Sequence, residues 1–263
     1  MSSLVDISTP TQIDTLSLIQ QIRDYEPALV KIIFDFVFVP CYKDQEGKHK
    51  YIRAMPAPGT NTISDKAFCD NKNLEWVIID DSVKTIGNKA FYECSNLSNV
   101  TIGNSVETIG DCAFSDCSSL THITIPDLVK SIDYRAFYRC SKLTHVAIGN
   151  SVETIETSAF NGCESLTHVA IGNSVKNIRY GAFCACSKLT HVAIGNSVET
   201  IDTYAFYRCL SLTHVNIPDS VETIGNGAFN SCSSLKKLSI PKHLEKQVKD
   251  NEVFPKHTKI VVR

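Results

Sequence analysis

The chain has no excess of either charge. Its 26 lysines and arginines stand against 28 aspartates and glutamates, a formal net charge of -2, so no strong field draws it to nucleic acid or to an anionic membrane surface. Long apolar runs are also missing. The most apolar stretch, Ala28 to Pro40, is interrupted by Lys31 and Asp35 and falls short of the ~20 residues of a membrane-spanning helix. The opening residues MSSLVDISTP contain no basic segment leading into an uninterrupted apolar core, so no secretory signal is read there. Without one, an odd number of cysteines, eleven, points to reduced thiols and a cytoplasmic location rather than to a disulfide framework. Absent too are G-x-S-x-G, H-E-x-x-H, the phosphate-binding Gly-Lys-Ser/Thr and the dinucleotide glycine fingerprint.

What is present is repetition. Phenylalanine recurs at Phe68, Phe91, Phe114, Phe137, Phe160, Phe183, Phe206 and Phe229, each 23 positions after the last. Leucine keeps the same register from Leu74 to Leu235, and an isoleucine follows five positions later, from Ile79 to Ile240. Between them lies one more apolar residue, such as Val146 or Val169, giving L-x-x-V-x-I. The end of that pattern alternates inward and outward, as a half-buried strand does. Gly149-Asn150-Ser151 or Pro218-Asp219-Ser220 then supplies turn chemistry. A second apolar pair such as Val152 and Ile155 follows, and Ala159-Phe160-Asn161-Gly162-Cys163 closes the coil, read as a tight helical turn. So small a unit cannot bury its own apolar face and is stabilised by stacking on its neighbours.

Units that run from Leu-Thr-x-Val-x-Ile-Pro/Gly to Ala-Phe-x-x-Cys resemble the BspA-like class of leucine-rich repeats over roughly residues 61 to 241. The resemblance implies an α/β right-handed solenoid with parallel strands on its concave face and short helical turns and loops elsewhere. It also implies a non-enzymatic protein-binding scaffold; relatives of this kind are often surface adhesins that bind host or matrix proteins. Residues 1–60 fall outside the period and are read as a helical N-terminal cap and linker. Thr9-Pro10 suits a helix start, Ile13, Leu16, Leu18, Ile19 and Ile22 form an apolar stripe, and a second helix covers Ala28 to Val39. Lys43 to Thr60 is read as the linker. The stretch Glu26 to Phe36 resembles the start of an F-box, which implies a ubiquitin-ligase substrate adaptor as an alternative. At the far end Gln247 stands where the next isoleucine belongs, so residues 242–263 are read as a C-terminal cap.

Equivalent positions form columns along the array. The column just before the second strand residue reads Trp76, Asn99, His122, His145, His168, His191, His214 and Lys237. By strand alternation it faces outward beside Thr124, Ala147, Ala170, Ala193 and Asn216, and the five histidines span about 19 Å at ~4.8 Å per strand. A solvated face, a strip for a protein or peptide partner, and a metal ladder or pH switch are the competing readings. A secondary partner strip collects Tyr134, Arg135, Tyr138, Arg139, Arg179, Tyr180, Tyr207 and Arg208, residue types favoured at binding hot spots. Cys94, Cys117, Cys140, Cys163, Cys186, Cys209 and Cys232 also form a column, and single file is the wrong geometry for a tetrahedral metal cluster. Glu107, Glu153, Glu199 and Glu222 recur one per coil beside turns, whereas catalysis requires unlike groups that converge. No catalytic residue, cofactor or metal site is therefore assigned.

Overall fold

The computed structural model describes residues 39–43, 49–54, 60–250 and 253–263. They form a parallel-strand β-solenoid of about nine turns with very little helix. Each coil contributes a longer strand, such as His145–Ala147 or His168–Ala170, and a two-residue strand, such as Thr154–Ile155 or Asn177–Ile178. The two-residue strands make one uninterrupted parallel sheet from Thr62–Ile63 to Thr223–Ile224. Between the two sheets the repeated Leu, Ile, Val, Ala and Phe side chains form the core. Seven successive phenylalanines from Phe91 are fully buried, and their rings stack coil on coil with centroids 5.0 to 5.4 Å apart.

The turn read as helical is built differently. Around Phe91 three i to i+3 bonds follow one another: the amides of Ala90, Tyr92 and Cys94 donate to the carbonyls of Gly87, Lys89 and Phe91. The alternate amides of Lys89, Phe91 and Glu93 instead reach along the solenoid to the carbonyls of Asp111, Ala113 and Ser115, each at 2.8 Å. A helix would keep all of these donors within the coil. Left-handed backbone at two positions per coil turns them outward, as at Lys89 (φ 56°) and Glu93 (φ 58°). For a residue other than glycine that conformation costs roughly 1–2 kcal/mol, and the bond to the next coil offsets part of it. Among the described residues the coils are therefore built almost wholly of strand and turn. Among the described residues, helix is confined to the 3-10 turn Lys242–Leu244 and the α-helix Glu245–Asp250.

The helical N-terminal cap and the F-box-like stretch Glu26 to Phe36 lie outside the described residues. The segment read as a linker contains a strand, His49–Ala54. It pairs antiparallel with Val39–Lys43 and parallel with Trp76–Ile79, placing Tyr51 against Trp76. That offset is 25 residues (76 − 51), so a search for a 23-residue period passes over it, while backbone pairing needs no repeat. At the opposite end Gln247 Oε1 accepts the amide of Ile224 at 3.1 Å, and the Val253 carbonyl accepts that of Phe229 at 2.7 Å. The final strand, Lys259–Val262, pairs in parallel with Lys237–Ile240.

Candidate functional site

The column from Trp76 to Lys237 points outward along its whole length, and all eight side chains are exposed. It arises from the two-residue period of each strand: His145 and Ala147 face solvent while Val146 between them turns inward. The outer row, Thr124, Ala147, Ala170, Ala193 and Asn216, is exposed as well.

The column is not an even ladder, because its strands associate in twos. Three residues pair in register between His122–Thr124 and His145–Ala147, and again between His168–Ala170 and His191–Ala193. Between those units only His145 and His168 pair, and the sheet is interrupted between His191–Ala193 and His214–Asn216. Side chains follow the backbone: His122 stacks on His145 and His168 on His191, both at 5.0 Å with planes within 6°. Within a unit the amides of Ile125 and Ile171 donate to the carbonyls of Ala147 and Ala193 at 2.8 Å. Across the seams, Val146 and Val192 are only partly buried, whereas Val169 and Val215 are 3% exposed.

Glycine tightens the pairing in these two units. A Cβ added at Gly149 would lie 2.4 Å from the Pro126 carbonyl oxygen, and one at Gly195 would lie 2.4 Å from that of Gly172. Gly172 itself has nothing within 4 Å of such an atom. The second coil of each of these units thus presses its turn against the first, which only a residue without a side chain allows. Asp127 and Asn173 reinforce the contact by accepting the amides of Asn150 and Asn196. In the sequence only Pro126 followed by Gly149 carries this signal; Gly172 and Gly195 carry none, and the uniform 23-residue reading hides the pairing.

Beneath the histidines a threonine row fixes the rings. Thr144 Oγ1 donates to the Thr121 carbonyl at 3.0 Å, and His145 Nδ1 contacts Thr144 Oγ1 at 2.9 Å. The same arrangement holds at Thr190 and His191, with distances of 3.1 and 2.9 Å.

The secondary strip resolves into separate clusters. Arg135 lies over Tyr134 and Tyr138, 5.0 and 4.9 Å from their centroids, and Arg139 lies 5.3 Å over Tyr138. Further along, Tyr180 meets Tyr204 and Tyr204 meets Tyr207, edge to face; Tyr204 is a member that spacing alone did not select. Arg179 is half-buried and Arg208 exposed, and among the described residues neither lies over a ring.

The cysteine column is structural. Cys163 Sγ donates to the Phe137 carbonyl, one coil back, at 3.3 Å, and the other six do the same from Cys94 to Cys232 at 3.0 to 3.3 Å. Each phenylalanine carbonyl from Phe91 to Phe206 thereby accepts twice, from the cysteine amide of its own coil and the thiol of the next. Burial pushes the Cys94 thiol up to about 12 and holds Cys117 and Cys163 well above the usual thiol range. These thiols are neither nucleophiles nor thiolate metal ligands at neutral pH. Among the described residues, no group of three or more histidine, cysteine or acidic side chains converges as a metal site.

The model for the BspA type leucine-rich repeat region matches in six copies, over residues 61–190 and 155–254. Among solved structures, the chain is similar to a leucine-rich repeat protein of T. pallidum, at 23% identity over 85% of this chain and 96% of that one, with a TM-score of 0.53. A leucine-rich repeat protein of Eubacterium ventriosum is 17% identical over 86% of this chain and 77% of that one, with a TM-score of 0.43. The pneumococcal vaccine antigen PcpA is 19% identical over 84% and 82%, with a TM-score of 0.41. At this identity the T. pallidum likeness bears on the fold alone. A search of curated proteins finds no match.

Proposed function

Since the chain belongs to the BspA type leucine-rich repeat family, we propose that it is a non-enzymatic scaffold whose outward strand face takes up a protein or peptide partner. The exposed column from Trp76 to Lys237, set on rigid backbone beside small Ala147, Ala170 and Ala193, carries the reading. Sites on regular elements hold their geometry better than sites on loops, and alanine beside histidine lets another backbone approach. The Tyr134–Arg139 cluster is the secondary contact, since its guanidiniums are already ordered over aromatic faces.

A cytoplasmic location belongs to the same proposal. Its support is the thiol column, in which each sulfur spends its hydrogen on a carbonyl and so works as a thiol; reducing compartments keep it in that form. The surface-adhesin alternative predicts recovery of the chain in an extracellular or envelope fraction.

The test compares wild type with a variant carrying His145→Ala, His168→Ala and His191→Ala in quantitative affinity capture. Partners of the strand face are expected to be lost, while capture survives Arg135→Ala with Arg139→Ala at reduced yield. A partner list that the triple variant leaves unchanged removes the strand face as the binding surface.

A further inference from the structure

We propose that each stacked histidine pair, His122 with His145 and His168 with His191, is a two-imidazole site for a borderline first-row divalent ion such as Zn2+. A hydroxyl has one hydrogen to donate. Thr144 Oγ1 gives its hydrogen to the Thr121 carbonyl at 3.0 Å, so the 2.9 Å contact to His145 is donated by Nδ1–H. Nε2 of that neutral ring then carries a lone pair directed away from the threonine. The Thr121 hydroxyl bonded to Ser98 sets His122 the same way, and the Thr190 hydroxyl bonded to Thr167 sets His191. Metal-binding histidines are held by such a bond on the nitrogen that does not ligate, and imidazole suits zinc, copper and nickel. At His122, His145 and His191 the ligating form is already in place, so no proton moves between their ring nitrogens when the ion arrives; His168 completes the second pair through its stack on His191.

Spacing restricts the site to the pairs. Two nitrogens, each about 2.1 Å from one zinc, lie at most ~4.2 Å apart, so rings stacked at 5.0 Å chelate after leaning together by ~1–2 Å. Exposed rings over solvent have room for that tilt. The seam between His145 and His168 leaves those rings unstacked, and the interruption before His214 leaves that histidine alone. Ala147 and Ala193 keep the remaining coordination positions open to water. This site stands independently of the scaffold reading, and neither result decides the other.

The experiment titrates the full chain with Zn2+ alone, followed by calorimetry and by NMR of the imidazole nitrogens. Two ions per chain are expected, one for each stacked pair, with Nε2 shifts at the four paired histidines and none at His214. His145→Ala and His191→Ala should each remove one ion, the double variant both, and His214→Ala neither. Far-UV circular dichroism identical to wild type establishes that these surface variants fold. The proposal is overturned by the absence of binding, by loss of an ion in His214→Ala, or by a stoichiometry that survives the double variant.

Discussion

The two sides of each coil obey different rules. On the phenylalanine side nothing interrupts the array: ring follows ring at 5.0 to 5.4 Å from Phe91 to Phe229, and the thiol of each coil joins the carbonyl of the last. On the histidine side the same coils gather in twos, with full register inside a unit and a single pair or none across a seam. The difference teaches that continuity is carried by the buried columns, where each side chain packs against its own kind. The outer sheet can then carry seams of a single pair or none, because its exposed residues contribute little burial. Stability thereby lies on one edge of the backbone, and the proposed recognition on the other.

The sharpest way to break that contrast is to cut the ring stack. Phe160→Ala, at a fully buried position, should cost ~3–5 kcal/mol in chemical denaturation. His168→Ala, on the exposed side of neighbouring chain, should change it by less than ~0.5 kcal/mol. Equal losses would mean that the two sides share the load.

A second test addresses the pairing itself. Gly149→Ala places a methyl against the Pro126 carbonyl and should destabilise the array by ~1–3 kcal/mol. Gly172→Ala meets open space without a left-handed φ and should be neutral or stabilise by up to ~1 kcal/mol. If both changes behave alike in thermal melts, the two-coil unit is not an energetic one.

The third test uses alkali. Burial raises the thiols of Cys94, Cys117, Cys140, Cys163, Cys186 and Cys209 in the folded state, so the folded chain holds protons that the unfolded chain releases above the ordinary thiol pKa of ~8.5. Stability should hold near neutrality and fall as pH rises beyond that value, by up to ~1.4 kcal/mol per pH unit for each of these thiols. Replacing Cys163 with alanine should flatten the slope by one thiol's share while leaving the neutral-pH structure intact. A slope unchanged by that substitution would show that the column is not what titrates.

Much of this was legible beforehand. The 23-residue recurrence of phenylalanine, leucine and isoleucine named the buried columns, and strand alternation turned His122 to His214 toward solvent. Ala-Phe-x-x-Cys reads as a helical turn because its composition is ordinary for a helix. The left-handed residues that define the real turn include Lys89, Arg135 and Ala185, types that do not advertise such a conformation, and neighbouring coils impose it through hydrogen bonds. His49–Ala54 escaped because pairing extends a sheet without repeating its sequence. The histidine pairing was hidden by the near-identity of the units, since Val146 and Val169 are the same residue in unlike surroundings. Pro126 and Gly149 distinguish first coil from second in one unit, while in the next glycine stands in both places, at Gly172 and Gly195.

With Gly149 seated against the Pro126 carbonyl, the length of such a molecule is counted in even steps. A tandem duplication of 46 residues, two periods of 23, copies a finished contact together with the gap beside it and can be inserted without altering either neighbour. A duplication of a single period sets two like-handed halves together and leaves one turn without its counterpart. Lineages that lengthen or shorten this kind of chain should therefore keep its parity, and the amide of Gln247 marks where the counting stops.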